Sequence, residues 1–285
     1  MFFGKNKYFL VIIVLLTGKI FALDLTVIGG LGNFSFDTSS ESAIGAAGKF
    51  KGSFYPLGLI NIKDQITDTF GYIATAERDP LLRNVLSCEM IIDAGLLKLS
   101  AGPLFSVFNS RKTYIRPGVS TSLGVEFPGI FFVNLKGGAT FGSIPESEYG
   151  LETTCIAIGF WLPNLLNTIS VTSVKFSEFD TILIQDELFR ASYRADMYAK
   201  NVPYTISLEM GYQSLKRSYN MTDEDMIRAV FLGFETNITI KPRLIFILGA
   251  EIPVFVWGKA PLEKEKSRWL FRAFTGFKWT FEETE

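Results

Sequence analysis

The feature that most constrains the fold is a period-two alternation of apolar and polar residues, which recurs along the chain without a convincing amphipathic helix. From Ile115 to Phe127 the odd positions read Ile, Pro, Val, Thr, Leu, Val, Phe and the even positions Arg, Gly, Ser, Ser, Gly, Glu. Because side chains of a strand alternate between two faces, this run predicts a strand with one apolar face. Similar runs lie within 44–54, 97–107, 131–141, 189–197, 204–213 and 268–281.

Weaker strand candidates fill the gaps between these runs. They cover residues 23–36, 67–76, 84–93, 150–161, 166–178, 226–239 and 243–256. The sequence therefore predicts about 14 strands, within a range of about 12–16. Alternation breaks at Ser173-Val174, which indicates a bulge. It is ambiguous in 226–239, where Arg228 and Glu235 have opposite parity.

The links between these strands alternate in character. Every second link is tight, at 94–95, 128–129, 162–165, 200–203 and 241–242, with the longer segment 55–66 as the exception. The other links are longer and more polar, at 37–42, 77–83, 109–114, 142–149, 179–186, 215–225 and 257–266. Short turns at one end and longer loops at the other are typical of outer-membrane barrels, and an even strand count brings both termini to the same end.

The apolar faces are rich in aromatic residues, and the chain has 27 Phe, 10 Tyr and 4 Trp. A β-sandwich also alternates, so a soluble β-domain is the main alternative. Large outward aromatics and polar faces rich in Gly and Ser favour an all-β transmembrane up-and-down antiparallel barrel, surrounded by lipid and closed on itself. Aromatic girdles are predicted near the strand ends, at Phe127, Phe131, Phe141, Tyr149, Trp161, Tyr204, Tyr212, Trp257, Trp269, Trp279 and Phe281.

The N-terminal segment has the pattern of an export signal. Lys5 and Lys7 precede an apolar run from Tyr8 to Gly18, which is too short for a membrane span of roughly 20 residues. We expect a signal peptide at 1–22, cleaved after Ala22, although Lys19 and Ile20 are unusual there and an uncleaved anchor is the alternative. Residues 23–285 then form one transmembrane β-barrel domain.

The absence of histidine excludes several classes of chemistry. No Ser-His or Cys-His nucleophile pair, histidine base or histidine metal ligand exists. Cys88 and Cys155 lie on opposite predicted faces, so we expect no disulfide. The net charge of −1 argues against nucleic-acid binding. We expect no enzyme activity, no cofactor, no metal site and no nucleic-acid partner.

These patterns resemble bacterial outer-membrane β-barrel proteins of the porin-like kind, over the whole chain after residue 22. The last run, Arg268 to Phe281, resembles the aromatic-ended strand that the outer-membrane assembly machinery favours, although Glu282 to Glu285 follow it. A divergent didermic bacterium such as a spirochaete would tolerate that tail. The resemblance implies an outer-membrane location, periplasmic termini and two partners, the outer-membrane lipid and the assembly machinery during biogenesis.

Charges of both signs occupy the predicted inward faces. The cations are Lys49, Lys51, Lys98, Arg116, Lys136, Arg190, Arg194, Arg243, Arg268, Arg272 and Lys278, and the acids are Glu89, Asp93, Glu126, Glu152, Asp196, Glu209 and Glu251. Eleven cations against seven acids predict a weakly cationic lumen. Lys98, Arg116 and Lys136 form a predicted like-charge cluster, which is costly unless hydrated or paired. The alternative is that these charges pair and fill the lumen.

The sequence thus predicts a porin-like channel for passive diffusion of small hydrophilic solutes, with a weak anion preference. The strongest pore-lining candidates are Lys49, Lys51, Lys98, Arg116, Glu126, Lys136, Arg190, Arg194, Asp196, Glu209, Glu251, Arg268, Arg272 and Lys278. The alternatives are a nonconducting surface interaction or adhesion protein and a transporter of hydrophobic solutes.

Overall fold

The structure of this chain is a computed structural model. It describes residues 20–32, 44–54, 62–74, 81–109, 113–141, 149–179, 183–220, 223–258 and 271–282. Side chains are described in a narrower part, which excludes the second and third strands. Within these ranges no helix is long and apolar enough to cross a membrane.

Fourteen strands make up the described chain. They are β1 Ile20–Gly32, β2 Ile44–Phe54, β3 Ile62–Ala74, β4 Leu81–Ala94, β5 Leu97–Asn109, β6 Thr113–Phe127, β7 Phe131–Thr140, β8 Tyr149–Leu162, β9 Leu165–Phe179, β10 Leu183–Tyr198, β11 Tyr204–Tyr219, β12 Asp223–Lys241, β13 Leu244–Gly258 and β14 Arg272–Glu282. The predicted all-β fold and the central estimate of the strand count are confirmed.

The strands form a closed barrel in which each strand pairs antiparallel with its neighbours in sequence. Closure comes from β1, which pairs with β2 on one side and with β14 on the other, Val27 lying opposite Phe277. With strands about 4.8 Å apart and tilted about 40°, fourteen strands give a backbone cylinder about 28 Å across. A cylinder of this size leaves a lumen after inward side chains are placed.

The barrel is apolar outside and polar inside. Ile115, Val254 and Phe255 each have more than 60% of their surface exposed, whereas Ser106 and Ser120 are buried on the inner face. A soluble β-domain would bury the first group and expose the second. The arrangement is that of a protein whose outer face meets hydrocarbon, so the soluble alternative is wrong.

The two ends of the barrel differ in their links. We call the end that carries the start of β1 and the end of β14 the near end, and the opposite end the far end. The near-end links that the structure describes are tight, and Gly95, Gly129 and Asn164 adopt positive φ there. Because most L-residues avoid positive φ, glycine and asparagine are the residues that such short turns need.

The far-end links predicted at 179–186 and 215–225 are shorter than the sequence predicts. Residues 179–186 and 215–225 are expected to be loops, but β10 already begins at Leu183, β11 continues to Tyr219 and β12 begins at Asp223. Cross-strand pairing continues through the polar residues, as in Asp186 opposite Arg217. Polar composition indicated a loop because these strands face each other with charged side chains on the inside.

The bulges are also displaced from their predicted position. The register of β9 with both neighbours runs without a shift through Ser173 and Val174, so the predicted bulge is wrong. A shift occurs instead between Val230 and Phe231, where β12 meets β13. This region is the one in which alternation was ambiguous. Glu235 faces the lumen there, and Arg228 belongs to the outer face.

Aromatic residues cluster on the outer face near both ends. Phe246, Phe277 and Trp279 form a chain of ring contacts at the near end, with centroids 5.5 and 5.6 Å apart. Tyr212 and Trp257, 5.9 Å apart, lie near the far end. About eight residues along a tilted strand separate the two levels, or about 20 Å along the barrel axis, comparable to the apolar band of outer-membrane barrels.

The prediction is wrong for one girdle residue. Trp161 faces the lumen, where its ring lies 5.3 Å from that of Phe132. Phe160, the preceding residue, takes the outward position. The side chains of Tyr149, Trp269 and Phe281 lie outside the described part of the chain.

Candidate pore-lining site

The first group of charges lies on the inner wall between β4 and β7. Lys98 Nζ donates to Glu126 Oε2 at 2.7 Å, and Lys136 Nζ lies 3.2 Å from Glu89 Oε1. Ser100 Oγ donates to the other oxygen of Glu89 at 2.7 Å. Each lysine therefore has a carboxylate partner, which offsets most of the repulsion between the two cations.

The predicted like-charge cluster is not formed. Lys98 lies opposite Gly124, and Lys136 lies opposite Ser122, so these two lysines are near each other. Arg116 is six residues from Ser122 on the same strand, which is about 20 Å. The sequence correctly predicted that the three cations lie on successive strands. Their positions along the barrel axis depend on the strand register, which cannot be predicted from the sequence pattern.

A second, larger group lines β10 to β14. Arg190 donates to both carboxylate oxygens of Glu251, at 3.0 and 2.9 Å, and to Glu209 at 2.9 Å. Arg272 reaches the same Glu251 at 3.4 Å. Glu251 therefore bridges two arginines, and its side chain is only 8% exposed. Paired guanidinium and carboxylate groups of this kind form short, charge-assisted hydrogen bonds.

Arg194 continues this network toward the near end. Its Nε donates to Asp196 at 2.7 Å, and its Nη2 donates to Glu235 at 2.9 Å and to Ser207 at 2.8 Å. Ser207 donates in turn to Asp196. The Arg194 guanidinium on β10 thus holds side chains of β11 and β12 in fixed positions. We call Arg190, Arg194, Asp196, Glu209, Glu235, Glu251 and Arg272 the arginine network.

Aromatic rings on the inner face support the network. Arg190 lies 4.0 Å above the centre of the Phe231 ring, and Arg272 lies 4.8 Å above that of Phe274. The Phe274 ring covers Gly249 on the facing strand, where a Cβ would collide with it. Glycine leaves room for the ring, and the ring gives each guanidinium a flat apolar support.

Two buried apolar clusters lie on the inner wall near the far end. One cluster contains Tyr114, Leu151 and Phe176, and a second contains Leu215, Ile227 and Ala229. By the register, all six face inward. Val85, Val174 and Val256 pack against the two clusters. We call these nine residues the far-end collar.

A buried ion pair lies beside the collar, at the level of Phe176, which pairs with Asp186. Arg217 donates from Nε and Nη2 to the two oxygens of Asp186, at 2.6 and 2.7 Å. Both side chains are about nine-tenths buried. The pair sits where the sequence predicts loops, so the sequence-based site did not include it.

The predicted excess of inward cations is not present among the described side chains. By the register, eight cations and nine acids face the lumen. They are Lys98, Arg116, Lys136, Arg190, Arg194, Arg217, Arg272 and Lys278, with Glu89, Asp93, Glu126, Asp186, Asp196, Glu209, Asp225, Glu235 and Glu251. Three of the predicted cations, Lys49, Lys51 and Arg268, lie outside the described side chains, and Arg243 lies in a turn. The register adds the acids Asp186, Asp225 and Glu235 and the cation Arg217 to the inner face.

Several predicted lining residues lie elsewhere. Glu152 belongs to the outward row of β8, where it pairs with Ala139 of β7. Arg243 lies exposed in a near-end turn. Arg268 lies outside the described residues, as do the side chains of Lys49 and Lys51. The remaining candidates belong to the two charge groups, apart from Arg116 and Lys278, which line other parts of the wall.

Neither a disulfide nor a metal cluster is found in the described residues. Cys88 and Cys155 do not form a disulfide with each other. Cys155 faces the lumen, where Thr172 Oγ1 donates to its sulfur at 3.6 Å. No group of three or more His, Cys, Asp or Glu side chains in these ranges has the geometry to hold a metal ion.

Comparison with known proteins adds similar structures but no sequence relative. No family model matches this chain, and no curated protein matches it. A loop-deletion mutant of OmpT, an outer membrane protein of Vibrio cholerae, is 8% identical with a TM-score of 0.47, covering 92% of this chain and 98% of that one. OprB of Pseudomonas putida is 10% identical with a TM-score of 0.43, covering 98% of each chain.

An outer membrane channel from Pseudomonas putida F1 is 8% identical, with a TM-score of 0.47 over 93% of this chain and 97% of that one. These likenesses carry no information on the cargo or reaction of this chain. The expectation that the chain is not an enzyme does not stand, because one fold can carry different functions. The missing histidine excludes only histidine-dependent mechanisms. By its closed antiparallel barrel and apolar outer face, the chain is a porin-like β-barrel of the outer-membrane type.

Proposed function

We propose that this chain is an outer-membrane channel through which small hydrophilic solutes diffuse passively. The observation that carries the proposal is a wetted, charged inner wall within a closed barrel. The side chains of Lys98, Glu126 and Lys136 face the lumen and are 43%, 36% and 47% exposed. A lumen filled by its own side chains would bury these groups instead.

The outer membrane is the location that such a barrel requires. Its apolar outer face needs lipid, and closure satisfies the backbone hydrogen bonds of every strand. In this proposal the near end, with its tight turns and both termini, faces the periplasm, and the assembly machinery inserts the barrel after export directed by residues 1–22. Since β1 already begins at Ile20, cleavage after Ala22 would shorten it at the near end.

The selectivity of the channel is expected to be weak. The described inward charges nearly balance, and most of them are paired along the wall. A weak anion preference therefore depends on Lys49 and Lys51 of β2, whose backbone positions pair with Thr26 and Asp24 on the inward row of β1. Changing Lys49 and Lys51 to Glu is expected to move the reversal potential toward cations.

Single-channel recording tests the proposal directly. The protein is inserted into a planar bilayer, and discrete, reproducible current steps are expected. Protein that is shown to be inserted but gives no steps would contradict the channel. That result would favour the alternative of a nonconducting surface protein.

A further inference from the structure

We propose that the inner wall carries a binding site for a planar cation near the near end of the barrel. The lumen-facing side of the Phe132 ring and the second carboxylate oxygen of Glu126 form the site, and its ligand is a solute that carries a guanidinium group. The site itself does not require conduction, whereas its role as a docking position for solutes in transit rests on the proposed channel function.

The first argument is a packing arrangement that the inner wall uses three times. Phe132, Phe231 and Phe274 each lie directly opposite a glycine of the neighbouring strand. Each ring covers its glycine, because a Cβ added there would lie 2.2, 2.9 and 2.3 Å, respectively, from the nearest ring atom. One side of each ring is therefore against the wall, and the other side is turned toward the lumen.

Two of these three rings are covered by a guanidinium group of the chain itself. Arg190 lies 4.0 Å above the centre of the Phe231 ring, and Arg272 lies 4.8 Å above that of Phe274. Phe231 and Phe274 are accordingly 0% and 7% exposed. Phe132 is only half-buried, and no cation of the described residues lies over its ring. The same flat apolar support is thus open to a cation from the lumen.

Trp161 stands at the side of this position. Its ring centroid lies 5.3 Å from that of Phe132, and the two ring planes meet at 60°, so the indole is beside the phenyl ring and does not stack on it. Trp161 also belongs to the inward row of β8 and is half-buried. Because the faces of aromatic rings carry partial negative charge, two rings at such an angle attract a cation.

Glu126 supplies the negative charge that a bound cation needs. It pairs with Phe132 between β6 and β7, and side chains directly opposite in an antiparallel pair have Cβ atoms about 4.5–5.5 Å apart. Its Oε2 accepts a hydrogen bond from Lys98 at 2.7 Å, whereas its Oε1 has no hydrogen-bond donor among the described residues. Asp93 lies opposite Lys98, so this part of the wall has two acids and one cation. The local charge therefore favours a cation over an anion.

A guanidinium group fits this position better than an ammonium group does. It is planar and weakly hydrated, so it can lie on a ring and donate to a carboxylate from its edge, whereas an ammonium group is compact and strongly hydrated. Arg190 already has this arrangement, because its guanidinium lies on the Phe231 ring and donates to Glu209 and Glu251. The near-end site offers the same two elements, a ring and a carboxylate, to a solute.

The experiment measures binding without relying on conduction. The full-length chain is purified from outer membranes into detergent micelles with isotope-labelled tryptophan, and the indole NMR signal of Trp161 is assigned with Trp161→Phe. Ethylguanidinium chloride and ethylammonium chloride are titrated separately at one ionic strength, and the midpoints of the signal shift are compared. Phe132→Leu removes the ring, and Phe131→Leu makes the same change on the outer face and serves as the matched control.

We expect ethylguanidinium to shift the Trp161 signal at an about fivefold lower concentration than ethylammonium. The difference is expected to vanish in Phe132→Leu and to persist in Phe131→Leu. Equal midpoints for the two cations in the wild type, or an unchanged difference in Phe132→Leu, would overturn the site. Glucose acting at a lower concentration than ethylguanidinium would overturn the cation as its ligand. Should Phe132→Leu not fold, Glu126→Gln takes its place, and an unchanged ethylguanidinium midpoint there overturns the site.

Single-channel recording with the same protein separates this proposal from the proposed channel function. Ethylguanidinium is expected to reduce the potassium current at the concentrations that shift the Trp161 signal, and less so in Phe132→Leu. A signal shift without current steps from inserted protein would support the site and contradict the channel. Current steps without a difference between the two cations in the NMR titration would support the channel and overturn the site.

Discussion

Glu251 provides the sharpest test of how the lumen is held together. Its carboxylate accepts two hydrogen bonds from Arg190 and lies 3.4 Å from Arg272, and its side chain is 8% exposed. Glu251→Gln keeps the size of the side chain but removes the charge that both guanidinium groups share. Arg190 then keeps only Glu209 as an acidic partner.

The magnitude follows from burial. A hydrogen bond to a charged group contributes about 1.5–3 kcal/mol, and removing one partner of a largely buried pair leaves the other charge desolvated. The cation–π contacts with Phe231 and Phe274 remain and offset part of this loss. We expect Glu251→Gln to lower the free energy of unfolding by about 2–4 kcal/mol.

Glu126→Gln is the matched control, because it removes the same charge from the same lumen. Glu126 and its partner Lys98 are 36% and 43% exposed, so water replaces much of the interaction. An exposed pair contributes about 0–1 kcal/mol, and the control is expected to lose no more than that. The free energy is measured by urea unfolding of the barrel in lipid vesicles, at one ionic strength.

A second readout separates stability from conduction. Both substitutions remove one negative charge from the lumen, so both are expected to move the reversal potential toward anions. Equal losses of stability in the two variants, or a loss below about 1 kcal/mol for Glu251→Gln, would refute the reasoning from burial. Replacing Arg272 with Met in the Glu251→Gln background is expected to restore part of the lost stability, since Glu251 is the acidic partner of Arg272 and its charge is already gone.

Three further predictions test the packing and the orientation of the wall. Gly159→Ala is expected to cost about 1–3 kcal/mol in the same unfolding assay, because the new Cβ collides with a facing phenylalanine ring, whereas Gly137→Ala has its nearest neighbour 3.8 Å away and is expected to be close to neutral. Leu208→Arg places a charge on the lipid face and is expected to cost about 2–4 kcal/mol; an unchanged urea midpoint would place Leu208 inside. A water-soluble, membrane-impermeant thiol reagent is expected to modify Cys155 and reduce the channel current, while Cys88 on the outer face reacts only with a lipid-soluble reagent; the reverse pattern, read by mass spectrometry, would invert the two faces.

The sequence by itself determined the fold class and the direction in which the barrel faces. Alternation along Thr113–Phe127 is a local property of the strand, since each side chain points opposite to its neighbour whatever the rest of the chain does. An alternation whose apolar half is large and aromatic, repeated about 14 times, leaves few solutions other than a barrel in lipid. The tight near-end turns could be predicted for the same reason, because glycine and asparagine are the residues that adopt positive φ in short turns.

Only the tertiary structure decided which charges meet. Arg190 reaches Glu251 across two intervening strands, and Lys136 reaches Glu89 in the same way. Such contacts depend on register and on the curvature of the closed wall, which no local pattern encodes. Residues 179–186 and 215–225 show the same limit. Their polar composition is that of a loop, and only the pairing of β10 with β11 shows that their charged side chains belong to strands.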